Sequence, residues 1–172
     1  GRRNMTLIGN SIPRTDAVEK VSGKSVYGVD VGVLGMLHGC LLRSPVPCGT
    51  IARLDTTAAI SMPGVRYICT SADQPDTRAG WVLCEQHLFA TECVRYEGEP
   101  IAAVVADSRE QARAAVNAID LQIEERPGVD LIAAMADDPA TDLVHPEWET
   151  YQPLAGPETD HPRHRNVAAQ MS

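Results

Sequence analysis

The chain alternates short apolar runs with polar breaks, and the breaks carry the turn-forming residues. Residues 25–31 and 36–43 are rich in β-formers, so they predict two strands separated by the turn Gly32-Val33-Leu34-Gly35. In the second run Met36, His38, Cys40 and Leu42 share one face, and Leu37, Gly39, Leu41 and Arg43 the other. Residues 50–54 predict a further strand. Asp55-Thr56 then offers a cap for a short helix through Ser61, Pro63-Gly64 ends it, and residues 65–70 return as a strand.

The pattern is clearest from Ile101 onward. Six consecutive apolar residues, 101–106, predict a strand buried on both faces. Ser108 followed by Gln111 has the spacing of a capping box. Ala112, Ala115, Val116 and Ile119 fall on one helical face. Residues 121–124 predict a returning strand, which makes a β-α-β unit, and Asp130 caps a last short helix through Ala136. The order strand, Asp55-Thr56, helix, strand is answered by strand, Asp107-Ser108, helix, strand. These elements predict an α+β domain of mixed strands with two or three short helices over residues 8–136, because the helices are too few for a doubly wound sheet.

Composition then divides the chain. Residues 137–172 hold five of the twelve prolines and seven acids against two arginines, which places −5 of the net charge of −8 there. Proline at that density predicts an extended acidic arm. Trp148 and Tyr151 within it predict that the arm lies against something. The 172 residues, 44% hydrophobic, suffice for one core. Only two lysines, Lys20 and Lys24, with scattered arginines, exclude a nucleic-acid reader. No apolar run reaches the length of a membrane span. The five cysteines form no Cys-x-x-Cys pair, which reads as reduced thiols and a cytoplasmic chain.

Candidate chemistry is sparse. Gly28, Gly32 and Gly35 precede strand-like residues and not a helix that could hold a pyrophosphate. His38 reads as a core or edge histidine, and His161-x-x-His164 lacks a third ligand. Ser108 stands at a strand-to-helix junction without the glycines of a nucleophile elbow. Glu97 and Glu99 would share a face in a strand and could act as an acid–base pair, whereas Gly98 and Pro100 favour a turn with both charges outward. The residues alone describe an acidic α+β domain without a self-contained active site.

Several strings in order carry a specific resemblance. They are the opening Pro13-Arg14-Thr15-Asp16-Ala17-Val18-Glu19-Lys20-Val21-Ser22-Gly23-Lys24, then Tyr27-Gly28-Val29-Asp30, Gly35-Met36-Leu37-His38-Gly39, Leu42-Arg43-Ser44-Pro45 and Met62-Pro63-Gly64-Val65. Leu88-Phe89-Ala90 and the run from Val94-Arg95-Tyr96-Glu97-Gly98-Glu99-Pro100 to Ala106 complete the set. Together they resemble the N-terminal a/b hammerhead domain of the molybdopterin-binding component in the xanthine dehydrogenase and aldehyde oxidase family. Two positions depart from that pattern. Val46-Pro47-Cys48-Gly49 follows the Arg-Ser-Pro turn where the family often has histidines, and Glu99 stands in place of a glutamine.

The resemblance implies a hammerhead subunit or fragment of a molybdenum hydroxylase, with a structural and assembly role and no cofactor of its own. Molybdopterin in its cytosine dinucleotide form with molybdenum is implied in a large partner chain. Iron–sulfur clusters of the 2Fe-2S type and FAD are implied in further partners. No catalytic, cofactor or metal residue transfers to this chain. The turns Arg43, Ser44, Pro45, Arg95, Tyr96, Gly98, Glu99 and Pro100 are expected to serve structure or an interface. The aromatics Trp81, Phe89, Trp148 and Tyr151 are expected to contact a partner, and the segment 74–93 to cover the partner surface. The alternative is a noncatalytic interaction module that reuses the fold.

Overall fold

In the computed structural model the described residues are 9–74, 78–80, 84–135, 141–151 and 166. The chain divides into two units, residues 1–36 and 37–172. The first contains the short helix α1 (Ala17–Val21) and a single 3-10 turn at Gly28–Asp30, where the side chain of Asp30 accepts from the backbone N–H of Tyr27 at 2.9 Å. The strand expected over residues 25–31 does not form. Its β-formers have no neighbouring strand to take up their backbone groups, and propensity alone does not stabilise an unpaired strand.

The second unit is built on two three-stranded antiparallel sheets. The first has the order β1 (His38–Arg43), β5 (Pro100–Ala106), β3 (Val65–Thr70). In the second, β2 (Gly49–Asp55) lies between β4 (Cys93–Val94) and β6 (Asp120–Glu125). The central strand β5 is the apolar run seen in the sequence. Ile101, Ala102, Val104 and Ala106 are all fully buried, as a strand covered on both faces requires. Val104 packs with Ala59, Ile68, Ala115 and Ile119 under the helices α2 (Thr57–Ile60) and α3 (Arg109–Asn117). Ile101 joins Ala90 and Val94, with Ile51 and Ile123 of the second sheet against them.

Helix α3 starts where Ser108 Oγ accepts the backbone N–H of Gln111, at 3.2 Å. The side chain of Gln111 is directed instead against Gly64, whose φ of +81° lets the chain turn there into β3. Helix α2 is held by Asp55 and not by Thr56: Asp55 Oδ1 accepts from Thr57 N at 2.9 Å. That backbone bond, with Arg53 beside it, draws the Asp55 carboxyl down to about 2. The last helix, α4 (Leu131–Met135), is capped by Asp130 as expected.

The β-α-β reading needs correction. Strand β5 and strand β6 flank α3 in sequence but belong to different sheets. Strand β2 pairs β6 while β3 pairs β5, so the two strand–helix–strand stretches embrace each other with first strand against last. This pairing depends on Gly49. A Cβ there would fall 2.5 Å from Ile123 Cγ2 and 2.8 Å from the carbonyl oxygen of Glu124 on β6. Gly49→Ala is therefore expected to cost about 2–3 kcal/mol through overpacking against backbone, read as a lowered urea midpoint.

Candidate functional site

The family-like turns lie together. At the end of β1, Ser44 N donates to the carbonyl of Glu99 at 2.9 Å, and Gly98 N donates to the carbonyl of Ser44 at 2.9 Å. Arg43 Nη1 donates to the Gly98 carbonyl at 2.7 Å, and Ser44 Oγ to that of Val46 at 2.7 Å. Gly98 makes the turn possible with a φ of +88°. Pro45 and Tyr96 are exposed on it, and the carbonyl of Pro100 accepts from Ala90 N at 2.8 Å.

Glu97 and Glu99 do not both face outward. Glu97 is exposed, whereas Glu99 is buried, with 9% of its surface exposed. Its carboxylate accepts the backbone N–H of Arg95 at 2.5 Å and stands 3.7 Å from Arg95 Nη1. The outward-turn expectation fails for Glu99 because the partly buried Arg95, four residues before it, draws its carboxylate inward. The acid–base pair loses its geometry for the same reason.

The arm, residues 141–151, is fixed to this region. Tyr151 is 5% exposed, its hydroxyl 3.0 Å from His145 Nδ1, and the two rings meet edge to face with centroids 5.5 Å apart. The Arg78 guanidinium sits 5.1 Å from the centre of the Tyr151 ring and pairs with Glu147 at 2.5 Å. Burial pushes the Tyr151 hydroxyl up from its ordinary value. Asn166 clips the other edge of the arm, accepting from Val144 N and donating to the carbonyl of Asp142, both at 3.0 Å. A cleft of about 610 Å³ is lined by 141–144 and Pro146 of the arm together with Pro47, Cys48, residues 93–97 and residues 126–129.

The four expected contact aromatics separate. Phe89 is 4% exposed, and its backbone is gripped by Gln74, whose amide accepts from Phe89 N at 3.1 Å. Phe89 and Tyr151 thus have their rings inside the chain's own packing, Trp148 is half-buried, and Trp81 lies outside the described residues. His161 and His164 lie outside them as well. The sequence reading missed Arg78, His145 and Glu147 as a group. The usable signal was only that a proline-rich arm carried aromatic residues.

Among the described residues no three His, Cys, Asp or Glu side chains converge to hold a metal ion, and the five cysteines are unpaired. Among the described residues no helix is long and apolar enough to cross a membrane.

Comparison with known proteins agrees with this geometry. The model of the family described as aldehyde oxidase and xanthine dehydrogenase, a/b hammerhead domain, matches residues 22–127. The chain is 39% identical over 127 residues to the nicotine 6-hydroxylase large subunit of Paenarthrobacter nicotinovorans, covering 69% of this chain and 16% of that one. It is 33% identical over 144 residues to the carbon monoxide dehydrogenase large chain of Hydrogenophaga pseudoflava, covering 79% and 18%. The solved structure of reconstituted CO dehydrogenase from Oligotropha carboxidovorans aligns with a TM-score of 0.70 and 29% identity, over 78% of this chain and 17% of that one. The chain thus spans less than a fifth of the length of these relatives. On the family model's match over residues 22–127 and the 39% identity to a relative over 69% of the chain, this chain belongs to the aldehyde oxidase and xanthine dehydrogenase family, in which it supplies the a/b hammerhead domain.

Proposed function

We infer that this domain is the hammerhead portion of a multi-component molybdenum hydroxylase, with a structural and assembly role. The oxidation of a carbon centre with water-derived oxygen is carried by a molybdenum-binding chain or region. On this reading the cofactors sit outside the hammerhead: molybdopterin, as its cytosine dinucleotide, with molybdenum in the large partner, and 2Fe-2S clusters and FAD in the electron-transfer partners. A cytoplasmic location belongs to the same reading and is supported by the five unpaired thiols.

One observation carries the assembly role. None of residues 9–36 is buried, although the segment is rich in large apolar side chains. Val18, Val21, Val29 and Val33 are 67–87% exposed, and Leu34 is fully exposed. Exposed large apolar side chains in this number point to a contact surface. Leu34→Asp is expected to leave the fold of residues 37–135 intact and to weaken association with the molybdenum-binding part. The check is gel filtration of the whole enzyme together with its molybdenum-to-protein ratio. An unchanged elution profile and ratio in the variant would contradict the assigned role of this surface.

The alternative, a noncatalytic module whose arm captures an unrelated partner, is less well supported. The arm's Tyr151 is already buried within the chain, which leaves Trp148 as the arm aromatic positioned for a partner.

A further inference from the structure

Cys48 lies in the stretch that departs from the family's usual strings, and a second cysteine stands close to it. On β4, Val94 is 1% exposed and turned into the core, so the preceding Cys93 points to the opposite face of the sheet. Cys93 is the cross-strand partner of Thr50 on β2, and Cys48 lies two positions before Thr50. The ladder to β6 continues through Cys48, whose carbonyl accepts from Arg126 N at 3.0 Å, so its side chain shares the face of Thr50 and Cys93. The two cysteines are therefore diagonal neighbours across β2 and β4. Both thiols are half-buried and unpaired, and both residues line the cleft of about 610 Å³ that the arm helps to form.

Their spacing selects the chemistry. Diagonal neighbours on antiparallel strands lie about 7–8 Å apart, with the Cβ atoms somewhat closer. A disulfide holds its Cα atoms at about 4.4–6.8 Å, so a direct sulfur–sulfur bond would have to pull the strands together. An atom between the sulfurs, with two thiolate bonds of about 2.3 Å each, supplies the missing span. Among the described residues no third His, Cys, Asp or Glu converges with the pair, so zinc, which takes about four ligands, is not satisfied there. A soft centre that is content with two sulfurs is satisfied. We propose that Cys48 and Cys93 form a two-thiolate binding site for a soft, thiophilic centre, held in the cleft between the sheet and the arm. Binding exchanges two S–H bonds for two bonds to one centre and releases two protons, and neither sulfur changes its oxidation state. Arg95 and Arg126 line the same cleft against Glu97 and Asp142, so the positive charge that offsets the two thiolates comes from the bound centre.

The test treats the whole protein that carries this sequence, reduced and under inert gas, with phenylarsine oxide, whose arsenic takes two thiols and loses its oxygen as water. Peptide mapping by mass spectrometry is expected to find one phenylarsenic group joining the peptides of Cys48 and Cys93. At saturation the alkylation of both cysteines by iodoacetamide is expected to fall together, by about tenfold or more. A small dithiol is expected to restore it, and a monothiol to leave it blocked. Cys48→Ser and Cys93→Ser are each expected to abolish the bridge and to return the remaining cysteine to full alkylation. Cys69→Ser, on β3 of the other sheet, is expected to retain the bridge. Arsenic that joins neither cysteine, that joins one of them to a different thiol, or that stays after either serine substitution would overturn the proposal. If a serine variant fails to fold, the mapping and the alkylation of the unaltered protein and of Cys69→Ser decide the matter.

Discussion

Replacing Glu99 with alanine is expected to lower the free energy of unfolding by about 2–3 kcal/mol, because it removes the carboxylate beside a partly buried cation. The Arg95 and Glu99 side chains are only 19% and 12% exposed, so little solvent screening reduces their interaction. The carboxylate also takes the backbone N–H of Arg95, and its own backbone carbonyl accepts from Ser44 N, which joins the two turns. Glu99→Gln keeps an acceptor for that N–H and loses the charge, so a smaller cost of about 1 kcal/mol is expected. Urea unfolding of the two variants measures both. A loss below about 0.5 kcal/mol for the alanine variant would mean that the pair behaves as an exposed one.

Ile101→Ala is expected to have the largest effect of a single core change, about 3–4 kcal/mol. Ile101 is fully buried on the central strand, where it joins Ala90 and Val94 of the chain segment leading to the turn with Ile51 and Ile123 of the second sheet. A cavity there would loosen the contact between both sheets, since Ile101 is the largest fully buried side chain at it. Leu41→Ala on the neighbouring edge strand is the comparison. Leu41 is 39% exposed and pairs with Ala103, so its truncation is expected to cost much less, about 0.5–1 kcal/mol. Similar losses for the two variants would show that the β5 contact does not organise the core.

How far the fold was legible follows from which signals were local. Strand β5 and helix α3 could be read because a continuous apolar run, a serine cap and helical spacing lie within twenty consecutive residues and agree with one another. The false strand at 25–31 had propensity and no pairing partner, and pairing is not written in a single segment. Sheet membership failed for the same reason. Periodicity shows that β6 follows α3, but the sequence alone does not show that β6 pairs β2, an approach that Gly49 permits by carrying no Cβ toward Ile123 and Glu124.

The candidate site divides along the same line. Arg43, Ser44 and Gly98 could be selected because they repeat the family's strings, and the structure brings them into one hydrogen-bonded turn. The burial of Glu99 had a weak local signal in its spacing of four from Arg95, which the neighbouring turn residues outweighed. The pairing of the arm with Arg78 had none. Arg78 meets Glu147 across 69 positions of sequence, and no spacing rule connects two such residues.

The central claim is tested most directly by isolating the native protein that carries this sequence and measuring its bound metals and the mass of the particle. The reading as a hammerhead domain of a molybdenum hydroxylase expects molybdenum and iron in a particle far larger than 18.5 kDa, and neither metal on the 172 residues produced alone. Native protein recovered as an independent monomer of this size, with no molybdenum-containing chain or region attached, would contradict it.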